Sequence, residues 1–208
     1  MKRLPVEQFL DLLAAAQPTP GGGSAAALIG AMGAALVSMM ARLTMGKDKY
    51  AADHEEMAVL LEQSEALREQ LTEAMQQDIK AYSKVMAAYA TPVKGPANAT
   101  RNTDIQTAFK EATEIPMASI RLALQILPMA RRAIEIGNVN AAADAGVAAI
   151  AAHAAIRGAA LNIFTNCALI EDEIFCRSCI NETNKALSEA ARLEAEVFIQ
   201  ARQRTAKP

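Results

Sequence analysis

The sequence predicts an all-α protein, one bundle of long alanine-rich helices. Three observations lead there. Hydrophobic residues make up 52% of the chain, yet aromatics are only 4% and there is no Trp. The β-branched and aromatic residues that strands prefer are sparse throughout. Apolar residues recur instead at helical spacing, segment after segment. Small side chains let helices approach closely, so such a core favours helix on helix. With 208 residues and no low-complexity linker, the chain reads as a single domain over 1–208.

Each element has its own signal. Pro5 to Ala16 is a first helix with Val6, Phe9, Leu10, Leu12 and Leu13 on its apolar face. Pro18, Pro20, Gly21, Gly22 and Gly23 then forbid regular structure. A second helix runs from Ser24 to Gly46. Ala26, Gly30, Ala34 and Ser38 form one i, i+4 ridge on it, with Gly33 beside them. Each interior glycine costs up to about 1 kcal/mol against alanine, and close packing against another helix is the usual compensation. A third helix starts after the cap candidate Asp53 and runs to Tyr89, about 55 Å at the helical rise. A loop around Pro92 to Pro96 leads to a fourth, Thr103 to Gly137. Pro116 and Pro128 each kink it, or Pro116 divides it in two. Gly137 to Asn140 forms a break. A fifth helix covers Ala141 to Thr165, Asn166 to Cys179 is ambiguous, and a last, charged helix covers Cys179 to Arg204.

Composition narrows the function classes. A net charge of −2 with few aromatics gives no basic stacking face, so nucleic acid is not expected as a partner. The run Ala25 to Ala41 is nearly all apolar, but a span needs about 20 such residues, and this run is shorter and ends at Arg42. The expectation is a central, buried helix and no membrane. No signal-peptide h-region follows Met1, which predicts a cytoplasmic protein. Cys176 and Cys179 form a CxxC without a second pair or a nearby His, so ordinary helix cysteines are favoured over zinc. His54 and His153 are isolated from each other, and no metal site is expected.

Three constellations could carry chemistry. Gly21, Gly22, Gly23 and Ser24 head the second helix. They form either a tight turn capped by Ser24 or a cradle in which backbone and helix N-terminus meet a carboxylate, phosphate or polar ring edge. The Lys-Ser/Thr of a P-loop is absent. Asn138, Asn140 and Asp144 stand at the head of an apolar helix, as caps or as a polar cluster beside a pocket, where Asp144 could handle protons. Asp78 and Tyr82, four apart, share one face of the long helix, either at a solvated edge or in a site.

Pro18-Thr19-Pro20-Gly21-Gly22-Gly23-Ser24-Ala25-Ala26-Ala27, with the helix to Lys47, resembles the cyclodeaminase/cyclohydrolase family, the C-terminal domain of formiminotransferase-cyclodeaminase. Gly137-Asn138-Val139-Asn140-Ala141-Ala142-Ala143-Asp144, continuing to Asn162, resembles the family's other signature. The pair Asp78 and Tyr82, the Pro92/Lys94 turn and Glu111 to Pro116 fit between them. The resemblance covers the chain in order. It implies an all-helical homodimer joined through long helices, a tetrahydrofolate derivative as substrate, and no metal or redox cofactor. Two reactions compete: ring closure of 5-formiminotetrahydrofolate with loss of ammonia, and hydration of the methenyl bridge to 10-formyltetrahydrofolate. The implied roles are Asp144 as leading acid/base or cation-stabilising carboxylate, with Asp78 second. Tyr82, Asn138, Asn140 and Asn162 would position pterin or water. Gly21 to Ser24 and Lys94 would meet polar or anionic parts of the folate, and Lys47 and Lys49 a polyglutamate tail. The alternative is a folate-binding or helical assembly module without turnover.

Overall fold

The computed structural model describes residues 4–90 and 97–205, with backbone alone for 97–100. Six α-helices appear among them: α1 Val6–Ala14, α2 Gly22–Met45, α3 His54–Ala90, α4 Ala97–Ile136, α5 Ala142–Cys167 and α6 Glu173–Thr205. Short 3-10 turns precede α3 and α5. No strand occurs among the described residues.

The helices form where the periodicity places them, with bounds moved by local chemistry. Gly21, not Ser24, occupies the cap position of α2. Ser24 is completely buried one turn inside. Asp53 ends a 3-10 turn and passes straight into α3. Pro116 and Pro128 both lie inside an unbroken α4, so neither proline divides it. The ambiguous stretch resolves at Asp172, whose Oδ1 accepts the Phe175 N–H at 3.0 Å. Such a side-chain cap satisfies one orphan donor of a helix start and sets where α6 begins.

α2 packs on α3 and α5, α4 packs on the same two helices, and α6 lies across α4 and α5. The α2/α5 contact depends on missing side chains. A Cβ at Gly158 would stand 2.9 Å from Ala26 Cβ, and one at Gly33 2.9 Å from the Ala148 carbonyl oxygen. The pairing of 158 with 26 and 148 with 33 makes the two helices antiparallel. α2 is tied to α3 by a buried hydrogen bond of 2.7 Å between the Ser38 and Ser64 hydroxyls. Around these seams lies one core of alanines with Val37, Met40, Met57, Leu71, Ile120, Ile126, Leu127, Ile156 and Ile163.

Two stretches, Gly22–Met45 and Val139–Cys167, are long and apolar enough to cross a bilayer by length and composition. The second was not expected, because Asp144, His153 and Arg157 interrupt its apolar run. Their most apolar windows are 61% and 44% buried inside the protein, so both also show an apolar side outward.

Candidate active site

A cleft of about 330 Å³ opens between α3, α4 and the C-terminal half of α5. Helix α3 contributes Asp78, Tyr82, Val85, Met86 and Tyr89, which repeat at three- and four-residue intervals and so line one face. Phe109, Ala112 and Pro116 come from α4, and Asn162, Thr165 and Asn166 from α5. The pair Asp78 and Tyr82 and the distant Asn162, all singled out in the sequence, therefore share one space.

The Gly-rich segment serves this cleft through Asp78. The Ser24 hydroxyl donates to Asp78 Oδ2 at 2.7 Å, and its backbone N–H also favours the charged form of that carboxylate. Gly23 makes room for it: a Cβ there would lie 2.2 Å from Asp78 Oδ1. Asp78 thus closes the N-terminus of α2 from a neighbouring helix, where an anion is favoured by the unpaired N–H groups. Burial nevertheless dominates and pushes its carboxyl above the ordinary range, with the two Ser24 donors pulling the other way. No cation pairs with Asp78 among the described residues. A half-buried carboxylate without a positive partner is suited to a cationic ligand or to moving a proton.

The α4 wall adds an acceptor. Proline has no N–H, so Pro116 cannot donate to the carbonyl of Ala112 one turn back. Both residues line the cleft. Asn162 spends its Nδ2–H on the Gly158 carbonyl at 3.0 Å, which leaves its amide oxygen toward other partners. Sequence reasoning missed Asn166, Tyr89 and Phe109. The i, i+4 spacing of Asn162 and Asn166 and the i, i+7 spacing of Tyr82 and Tyr89 were the available signals.

The second signature block lies elsewhere in the protomer. The Asn138 backbone N–H donates to Thr44 Oγ1 at 2.9 Å, its Nδ2 to the Leu43 carbonyl at 3.3 Å, and its Oδ1 accepts the Asn140 N–H at 3.1 Å. The Val139 N–H meets the Tyr50 hydroxyl at 3.2 Å. These bonds hold the head of α5 to the tail of α2. Asp144 sits in the first turn of α5, 18 residues and about 27 Å along the helix from Asn162. Asn138, Asn140 and Asp144 are thus not brought to the Asp78 cleft within one chain. Lys47 and Lys49 share their end of α2, while Lys94 and Pro92 lie outside the described residues.

Other reactive groups are buried or paired. Cys167, Cys176 and Cys179 are buried and free. Burial, with Cys176 alongside, pushes the Cys167 thiol up to about 12, which makes it a poor nucleophile. His153 Nδ1 stands 3.7 Å from Glu194 Oε2, and His54 Nε2 is 3.2 Å from the Lys47 carbonyl oxygen. No set of three or more His, Cys, Asp or Glu that could hold a metal occurs among the described residues.

The profile of the family described as formiminotransferase-cyclodeaminase matches residues 5–185. The chain is 42% identical to a methenyltetrahydrofolate cyclohydrolase of Methylorubrum extorquens, over 93% of each chain. It is 28% identical to the formimidoyltransferase-cyclodeaminase of Rattus norvegicus, covering 91% of this chain but 35% of that protein. Its fold matches the crystal structure of formiminotetrahydrofolate cyclodeaminase from Thermotoga maritima with a TM-score of 0.88 and 30% identity, over 97% of this chain and 98% of the other.

Proposed function

This chain belongs to the formiminotransferase-cyclodeaminase family, and we propose that, within it, the protein works as a methenyltetrahydrofolate cyclohydrolase with Asp78 at its reacting centre. It is an enzyme of folate one-carbon metabolism acting at the one-carbon bridge. The 42% identity across 93% of a cyclohydrolase favours that reaction over the second. The second, formiminotetrahydrofolate cyclodeaminase, is favoured by the near-complete structural match.

One observation carries the site: a half-buried carboxylate, oriented by Ser24 and unmatched by any described cation, in a cleft with amide and aromatic walls. The methenyl bridge is a cation, so Asp78 would stabilise it electrostatically where water is scarce. In hydration, the water oxygen bonds the bridge carbon and gives up a proton to Asp78. The bond from that carbon to N5 then breaks as the new hydroxyl gives up its proton and becomes the formyl carbonyl; N5 takes one of the two water protons, the other passes to solvent, and 10-formyltetrahydrofolate is left. In deamination, N10 bonds the formimino carbon and gives up its proton, the imino nitrogen is protonated and leaves as ammonia, and the same methenyl cation results. Both pass through a tetrahedral carbon at one place, so one carboxylate can serve either. No metal or redox group enters these steps.

The protein would act as a homodimer. α2 shows Ile29, Met32 and Leu43 to solvent, and the adjacent α5 shows Val147, Ile150 and Leu161. Burying such rows against a second copy removes a large apolar patch from water. A soluble, cytoplasmic enzyme is the reading in keeping with folate substrates and charged α3 and α6 surfaces.

Paired assays test the assignment. Methenyl absorbance lost faster than without protein supports the cyclohydrolase. Ammonia released from 5-formiminotetrahydrofolate would move the assignment to the cyclodeaminase. Binding of reduced folates without either turnover would leave a binding module and overturn the enzymatic reading.

A further inference from the structure

The cleft is not uniform along its length. Asp78 and Tyr82 mark one end, and Tyr89 stands 11 residues further along α3, about 16 Å away at the helical rise. That far end is aromatic. The Tyr89 and Phe109 rings meet edge to face, with centroids 6.2 Å apart and planes at 81°. Over Tyr89 lies a cation: the Arg101 guanidinium is 5.8 Å from the ring centroid, and its Nη2 donates to the Tyr89 carbonyl at 2.9 Å.

Arg101 differs from the other cations around the cleft. Lys84 is paired with Glu111 at 2.7 Å, and Lys110 with Asp172 at 2.7 Å. Arg101 pairs with no carboxylate among the described residues, and its Nε–H is buried without an acceptor. The Nε–H is closed off from solvent, so the guanidinium's other nitrogens are the donors an incoming acceptor would meet. A guanidinium carries five donors in a flat fork that matches a carboxylate.

We propose that this end of the cleft is a subsite for an aroyl-glutamate: Tyr89 and Phe109 take the aromatic ring and Arg101 takes a glutamate carboxylate of a p-aminobenzoyl-glutamate tail. The assignment rests on the folate reading above and extends it by fixing the substrate's direction. The one-carbon bridge lies toward Asp78, and the glutamate lies toward Arg101. Lys47 and Lys49, at the far end of α2, then have no part in holding the first glutamate within the same chain.

The test compares two probes on the purified full-length protein by titration calorimetry. One is 5-formyltetrahydrofolate, and the other is 5-formyl-6-methyltetrahydropterin, which lacks the whole tail. Arg101→Ala is expected to weaken the first roughly tenfold to a hundredfold, the range for a hydrogen bond to a charged group. Its affinity for the second should be unchanged, and Arg101→Lys should fall between. Because each variant is scored by the ratio of its two affinities, a partly unfolded preparation does not mimic the effect. Equal weakening of both probes, or of neither, would overturn the Arg101 assignment and leave the folate reading standing. Binding of neither probe by the wild-type protein would overturn both.

Discussion

At the scale of the residue, Asp78 is held by contradictory forces. Burial raises its carboxyl, and the Ser24 hydroxyl and N–H lower it. Removing the hydroxyl in Ser24→Ala takes away a donor that favours the charged form, so the carboxyl should rise further. The acidic limb of the pH–rate profile should therefore shift to higher pH, read directly from kcat/KM against pH. Asp78→Asn should lower turnover by about 100- to 10,000-fold, the usual range for a lost acid/base group, in a protein that still folds. It should also change stability with pH. A raised folded value means the native state holds this proton more tightly than the unfolded chain does. That contribution is complete below the ordinary carboxyl value of 3.8 and is lost as pH rises through the raised one. Urea melts across that window should show a flatter dependence for Asp78→Asn than for the wild type. Gly23 belongs to the same unit, since any side chain there would occupy the position of the carboxylate.

At the scale of the element, the α2/α5 seam shows why interior glycines persist in helices. Alanine at Gly158 would gain up to about 1 kcal/mol in helix propensity. Its Cβ would also press on Ala26 at 2.9 Å, and overpacking of that kind costs about 1–3 kcal/mol. Packing therefore wins over propensity. Gly158→Val, bulkier and β-branched, should lower Tm by roughly 2–12 °C, measurable by calorimetry. The same contest explains the element bounds. Periodicity located six helices, but a cap is a local bargain between particular donors and acceptors. Asp172 is recognisable as the start of α6 only once its Oδ1 faces the Phe175 N–H. Pro116 and Pro128 read as kinks, with a break as the alternative at Pro116, yet the packing of α4 on α3 and α5 carries the helix through both.

At the scale of the whole molecule, α2 and α5 are core helices on one side and apolar surface on the other. Met32 is 58% exposed, Val147 51% and Leu161 68%. A second copy seated there predicts that Ile150→Glu, placing a charge in the contact, shifts the protein to monomer in sedimentation velocity. The far-UV spectrum should stay that of the wild type. A wild-type protein already monomeric at micromolar concentration would remove the dimer.

What the sequence determined alone was the all-helical class, the close-packing glycines and, through its signature blocks, the family. These are properties of periodicity, side-chain size and short motifs, all readable along the chain. The cleft was decided by tertiary structure. Asp78 and Tyr82 looked as much like edge residues as site residues until α2 brought Ser24 and Gly23 onto the carboxylate across 54 positions of sequence. The two signature blocks, which looked like one site, lie at opposite ends of a helix pair, because antiparallel packing sets the head of α2 beside Asn162 rather than beside Asp144. Spacing along a chain reports which residues share a face. Which faces meet depends on how the helices pack, and here the missing side chains of Gly33 and Gly158 set that contact.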